Sequence, residues 1–420
     1  MMAGLPALLL IIGSFALIGS FNALRPRYSP AGLAAVSFFA GWLTGELAAH
    51  LLVIDVAVVA ALVWHGALAA WQGQLGLALD LVAVSLLLVA CTRSFASAAI
   101  VTTALADVPV DQAPRERDLG QLFMPFPVRD GRNERLRNIV YHSDESVTLR
   151  LDVFRRRGED HGAHSKKPVL LFVHGGGWMI GNKEYQGLPL LNRFAARGWV
   201  AFSINYRLSP RATFPAHVID VKRAIAWLRA HAAEYGGDPD CIVIAGNSAG
   251  GHLASLAALT PNKREWQPGF ETVDTSVTAC LSFYGVYDFT DRHGHWPNRG
   301  LNGLLERYIM KAKRKDAPER FAEASPIHWL SRETTCKAPP FLVVHGTADS
   351  IVPVAEARRF TAALKACGHE KFAYIELPGA QHAFEIFPSL RTFAVLRGVE
   401  RFAQQVLDER AAASGDGASI

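Results

Sequence analysis

The stretch from Ile242 to Leu253, IVIAGNSAGGHL, leaves this chain the fewest ways to fold. Ile242 to Ala245 have the character of a buried strand, and a helical pattern begins after the glycines. Between them lies Gly246-Asn247-Ser248-Ala249-Gly250, a G-x-S-x-G in a strand, sharp turn, helix frame. A serine at such a turn needs strained dihedrals, and Gly246 and Gly250 keep side chains from colliding around it. Its hydroxyl is then exposed at the carboxyl end of the strand, beneath the helix N-terminus. The pentapeptide alone marks only a tight bend. The frame, and three further elements in the order such a serine requires, make Ser248 a candidate nucleophile.

Charge divides the chain. Half of its 420 residues are hydrophobic and the mean hydropathy is +0.14, too apolar for an ordinary soluble enzyme. Residues 1–105 hold only Arg25, Arg27 and Arg93 as cations and Glu46, Asp55 and Asp80 as anions, so the whole net charge of +5 lies beyond them. Leu5 to Phe21, about Leu33 to Val63 and about Leu75 to Cys91 are apolar blocks. They read as about three membrane spans, or four if the second block is a hairpin. Met1 to Gly4 carry no basic residue, so a retained span is expected rather than a cleaved signal. With three spans the arginine-bearing flanks share one side, which the positive-inside rule makes cytoplasmic together with the globular part. Glu46, His50 and Asp55 are costly in such a setting, about 2.5–3.5 kcal/mol for a central aspartate. Glu46 and His50, four apart, share a face if one helix carries both. They then serve as a polar or proton site in the bundle, or pair with each other or snorkel to an interface.

The expected organisation is a transmembrane helical module at 1–105, a linker at 106–138, a catalytic unit at 139–408 with an insertion at about 286–338, and a disordered tail at 409–420. The linker is rich in Pro and Arg, but interleaved acids leave it nearly neutral, which favours a solvated segment over a lipid-binding patch. No basic stripe with interleaved aromatics appears, so nucleic acid is not indicated. From about Ile139 short apolar runs alternate with helical patterns: Val147–Phe154, Val169–Val173, Val200–Asn205, Ile242–Ala245, Ala279–Phe283, Phe341–His345 and Phe372–Glu376, with a helix over Ala216–Ala233. That alternation predicts an α/β fold with a mainly parallel sheet covered by helices on both faces. The five cysteines are odd in number and show no CxxC, so neither a disulfide framework nor a zinc site is supported. The chemistry-bearing residues, Ser248 among them, all lie beyond residue 138, so any turnover they support is expected to survive without the N-terminal module.

Immediately after Val173 comes His174-Gly175-Gly176-Gly177-Trp178. Three successive glycines let the backbone curl its bare amides into a nest for an anion. Acyl transfer from a serine develops an oxyanion, and such donors are worth about 3–4 kcal/mol each. The amides of Gly176 and Gly177, with Gly175 as an alternative and Ala249 after the serine, are the candidate donors. The base must be a downstream histidine. His382, in the loop after the last predicted strand, is favoured over His345, which ends a strand. Asp349, four residues past His345, is the candidate acid that orients the imidazole, with Asp288 as its rival.

HGGGW, GNSAGG, the NYRLSP stretch (Asn205 to Pro210), HGTADSIVP and the final GAQHAF resemble the α/β-hydrolase fold. More narrowly they resemble the hormone-sensitive-lipase-like esterase group, which includes actinobacterial carboxylesterases with N-terminal spans. The resemblance covers about residues 139–408 and implies carboxylesterase or lipase activity on a small-molecule or lipid ester, with neither metal nor organic cofactor. The insertion at about 286–338 is longer than an ordinary connection, and Leu301, Leu304, Leu305, Tyr308 and Ile309 recur in it at helical spacing. By its position it is a candidate cap over the acyl pocket, the alternative being a surface helix packed on the core. One departure stands out. Many of that group carry the acid in a DPL-type motif, whereas the HGxxD context of Asp349 also occurs in formamidase-like and peptidase-like relatives. A prolyl-peptidase-like enzyme usually has an aromatic residue after the serine, where this chain has Ala249. The alternative from another class is a non-catalytic lipid-binding protein on a hydrolase scaffold, which would lose Ser248, His382 or the glycine loop.

Overall fold

The computed structural model of the chain describes residues 4–106, 130–330 and 338–414. Four helices come first: α1 (Leu5–Leu24), α2 (Ala31–Glu46), α3 (Ala48–Trp64) and α4 (Trp71–Ala104). α1 and α4 are each long and apolar enough to cross a membrane. α2 and α3 pass that test only together, and they are bent by 82° at Leu47. The single block expected over Leu33 to Val63 is therefore two helices. The bend also separates Glu46 from His50, so the expected shared face does not form. Glu46 instead ends α2 buried against Arg391, with Ser389 Oγ donating to Oε2 at 2.9 Å. Asp55 on α3 lies beside the buried Asp80 of α4.

From Asn133 onward the described chain forms one sheet of eight strands: β1 (Asn133–Ser143), β2 (Thr148–Arg156), β3 (Lys167–Val173), β4 (Val200–Ile204), β5 (Gly237–Asn247), β6 (Ala279–Phe283), β7 (Phe341–Gly346) and β8 (Phe372–Leu377). Their order is β1-β2-β4-β3-β5-β6-β7-β8. β1 to β2 and β2 to β4 pair antiparallel, and every later pair is parallel. The helices are α5 (Leu188–Ala196), α6 (Ala216–His231), α7 (Ala249–Leu259), the short α8 (Gly300–Leu304) and α9 (Pro318–Glu323), α10 (Ala355–Ala366) and α11 (Leu390–Ser414). Successive residues of a strand face opposite sides, and the core divides accordingly. Val169, Leu171, Ile242 and Ile244 pack with Val218 and Ile225 of α6 and Leu253 of α7. Leu170, Phe172, Val243 and Ala245 pack with Leu191 and Phe194 of α5 and Val395 and Val399 of α11. Val101 of α4 and Leu105 just beyond it belong to this second layer.

Two boundaries move from their expected places. β1 begins at Asn133, inside the expected linker, because it is a charged edge strand whose partly exposed, bulged course shows no clean alternation. Arg135, read as part of that linker, donates to Asp152 of β2 at 2.7 Å. α11 runs to Ser414, past the expected start of the tail, and Arg410 there bonds to the Asp240 carbonyl. Linker residues 107–129 lie outside the described residues. So do residues 331–337, within the expected insertion. The described part of that insertion contains α8, continued as a single wide π turn at Leu305–Ile309 that buries Leu305 and Ile309 in the core.

Candidate active site

β5 is flanked on both sides by strands parallel to it, and Ser248 sits immediately beyond its end, at φ 55° and ψ −121°. That conformation is rare for a residue with a side chain and persists only where the surroundings impose it. The imposition comes from tight packing of the turn. A Cβ on Gly246 would come within 2.3 Å of the Gly250 carbonyl oxygen, and one on Gly250 within 2.0 Å of the Val173 carbonyl oxygen. The motif's glycines are thus required by close approach of β3, β5 and α7.

His382 lies between Ser248 and Asp349. The Ser248 hydroxyl donates to His382 Nε2 at 2.8 Å, and His382 Nδ1 donates to Asp349 Oδ2 at 2.6 Å. The other carboxylate oxygen of Asp349 accepts the amides of Ile351 at 2.9 Å and Val352 at 2.7 Å. Burial pushes the Asp349 carboxyl up, but the neighbouring charge of His382 and hydrogen bonds from His345 and His382 outweigh it and hold the group well below the usual carboxylate range. Neither rival takes the place assigned to it: His345 lies behind Asp349, its Nε2 3.3 Å from Oδ2. His345 is fully buried at the end of β7, with Nε2 donating to the Val352 carbonyl at 2.9 Å. Asp288 is bound into its own turn, accepting the Thr290 amide and Arg292 Nε at 2.9 Å.

The glycine loop after β3 has Gly176 at φ 114° and Gly177 at φ 58°, a curled backbone with a side chain excluded at Gly176. A Cβ there would meet the Ile180 carbonyl oxygen at 2.1 Å. The Gly175 amide donates to Gln186 Oε1 at 2.8 Å, so it is already engaged. Gly176, Gly177 and Ala249, the last being the first residue of α7, are the remaining candidate donors. His174 and Trp178 are scaffold. His174 stacks on Tyr206 and donates from Nδ1 to the Gly175 carbonyl, and burial pushes its imidazole down to about 4. Trp178 Nε1 donates to His252 Nδ1 at 3.1 Å, leaving His252 Nε2 to donate to the Ala324 carbonyl at 2.7 Å. The loop is thereby tied to α7, directly behind Ser248.

Sequence reasoning overlooked one cluster. Asn247 Nδ2 and the Tyr284 hydroxyl both donate to Glu385, which is buried three residues after His382. Burial pushes the Glu385 carboxyl above its ordinary range. The Tyr284 ring packs 4.4 Å from the His382 imidazole. The cluster joins the ends of β5 and β6 to the histidine loop, a three-way meeting with no local signature beyond adjacency to Ser248 and His382.

A mainly parallel sheet with a strained serine at the end of a central strand and a buried histidine–aspartate pair beside it defines an α/β hydrolase. The chain belongs to the BD-FAE family, whose model matches residues 152–364. It is similar to the probable carboxylic ester hydrolase LipM of Mycobacterium tuberculosis, with 46% identity over 270 residues, 64% of this chain and 61% of that protein. Esterase LipQ of the same organism is 46% identical over 252 residues, 60% of this chain and 58% of that one. The chain therefore spans about three fifths of the length of these curated relatives. Among solved structures it is similar to esterase Est2 of Thermogutta terrifontis with butyrate bound, at 28% identity and a TM-score of 0.53, covering 69% of this chain and 97% of that one. The same enzyme phosphonylated by sarin gives 28% identity and a TM-score of 0.55, covering 71% and 100%.

Proposed function

We propose that the protein is a serine hydrolase of carboxylic esters, held at a membrane by its N-terminal helices. The observation that carries this reading is His382 bridging Ser248 at 2.8 Å and Asp349 at 2.6 Å. His382 Nε2 takes the Ser248 proton as the hydroxyl oxygen bonds to the ester carbonyl carbon. The negative charge that develops on the carbonyl oxygen falls to the amides of Gly176, Gly177 and Ala249. As the intermediate collapses, the carbon–alkoxide bond breaks and His382 returns its proton to the leaving alcohol. Water, deprotonated by the same nitrogen, then releases the acid and restores Ser248. Asp349 stays ionised throughout, holding the tautomer and stabilising the imidazolium. The esterase names of LipM and LipQ support esters over the formamide or peptide alternatives left open by the HGxxD context.

A small fluorophosphonate should label Ser248 in the full-length protein and abolish hydrolysis of a short p-nitrophenyl ester. Ser248→Ala should neither be labelled nor turn over, apart from the residual catalysis that binding and the oxyanion donors supply. Undiminished turnover in Ser248→Ala would sink the mechanism.

A further inference from the structure

α2 lies directly against the loop that carries His382. Phe38, Trp42 and Glu46 recur every four residues and so form one face of the helix. They meet the loop in chain order. The Phe38 ring stands edge-on to the His382 imidazole at 6.1 Å between centroids. Trp42 Nε1 donates to the Ala383 carbonyl at 2.9 Å, and its ring packs on Phe387 at 4.6 Å. Glu46 receives Ser389 and Arg391. The approach to α2 also touches the loop bearing Asp349, where the Tyr28 hydroxyl donates to the Thr347 carbonyl at 3.3 Å. Ser350 Oγ donates to the Ala34 carbonyl at 3.4 Å. Across the insertion, Asn298 Nδ2 donates to the Tyr28 carbonyl at 2.5 Å.

Ala383, the residue after His382, is held at φ 60° and ψ 28°, a left-handed conformation that an alanine keeps only when its surroundings insist. Trp42 grips the carbonyl of that residue. Around the rest of its circumference α2 exposes Leu33, Val36, Phe39 and Leu43. One helix therefore presents apolar side chains outward and a clamp for the catalytic loop inward.

We propose that α2 is a positioning element of the active site, with Trp42 holding His382 in line with Ser248 through Ala383 and Phe387. This rests on the serine-hydrolase reading. Proton transfer between Ser248 and His382 depends on distances within a few tenths of an ångström, and a misplacement of about 1 Å costs on the order of a hundredfold in rate. The N-terminal helices are then part of the catalytic machinery rather than a detachable anchor, contrary to the expectation that turnover survives without them.

The test uses full-length protein in detergent with a short p-nitrophenyl ester. Trp42→Phe keeps an aromatic ring against Phe387 and removes the N–H donor, and Trp42→Ala removes both. The expected result is a kcat lowered several-fold in Trp42→Phe and about a hundredfold in Trp42→Ala, with KM within about twofold of wild type. The rate of Ser248 phosphonylation by a small fluorophosphonate should fall in parallel. If Trp42→Ala does not fold, Trp42→Phe alone decides. Wild-type kcat and phosphonylation rate in a folded variant would overturn the proposal, as would an unchanged kcat with a raised KM, which would make α2 a substrate wall. A wild-type protein that is neither labelled nor active would instead overturn the hydrolase reading beneath it.

Discussion

Asp349 and Asp288 each follow a strand of the same sheet, yet their surroundings give them different work. Asp349 is buried with four hydrogen-bonding partners converging on it, including His382. Asp288 spends its oxygens on Thr290 and Arg292 within one turn. Asp349→Asn should therefore lower kcat by about four orders of magnitude while the fold survives, because the amide favours the wrong imidazole tautomer. Asp288→Asn should change kcat little. Steady-state kinetics of the two variants separates them, and a crippled Asp288→Asn would reverse the assignment. Ser248 was legible because a positive-φ turn between strand and helix demands glycines at fixed offsets. In the sequence, Asp349 is singled out only by chain order and by its place one strand before the histidine, whereas in the fold its oxygens lead to His382 and the Ile351 and Val352 amides. The role of Glu385 was not legible at all, since its partners Asn247 and Tyr284 lie 138 and 101 residues away.

Among the elements around the site, three are braced by buried neutral histidines. His174 sits on the glycine loop, His217 on α6 and His252 on α7. Burial pushes their imidazoles down to about 4, about 3 and about 4 respectively. Above pH 6.5 these groups are neutral in both the folded and the unfolded chain. As pH falls below 6.5 the unfolded chain takes up protons that the folded one refuses. Stability is thus lost progressively until pH reaches the folded values, by a few kcal/mol for each histidine, on the order of 3 for His174 and His252 and more for His217. Thermal midpoints in detergent should drop between pH 7.5 and 5. His252→Gln can still accept from Trp178 and donate to Ala324, and should flatten that drop. An identical drop in wild type and variant would show that His252 does not contribute. The strands were legible as elements where they were apolar on both faces. β1 was not, because an edge strand with one solvated side and bulges has no period to read.

At the scale of the whole molecule, the N-terminal helices and the sheet share a core. α4 is 34 residues long, about 50 Å, more than the bilayer core needs. Its far end inserts Val101 between α11 and β8. Apolar helices in a bilayer are not screened by salt, unlike a patch of arginines on anionic lipid. Full-length protein should therefore pellet with membranes and stay there through a high-salt wash, as immunoblotting of the fractions would show. Release by salt alone would refute the anchor. In intact cells, protection of the sheet domain from added protease is the outcome expected from Arg25, Arg27 and Arg93 lying on the cytoplasmic side.

Local physics in the sequence determined the serine turn, the glycine nest, the strand periodicity and the charge-poor first quarter of the chain. Each depends on backbone sterics or on alternation within a few residues, which the chain states directly. Tertiary structure decided the 82° break at Leu47, the burial of Glu46 on Arg391 and the seating of Trp42 on Ala383. Residues 345 and 341 apart in the chain make the last two contacts. Nothing in their neighbourhoods encodes such a partner. A buried carboxylate must find a cation and an indole N–H must find a carbonyl, but which ones they find follows only from how the helices pack against the sheet.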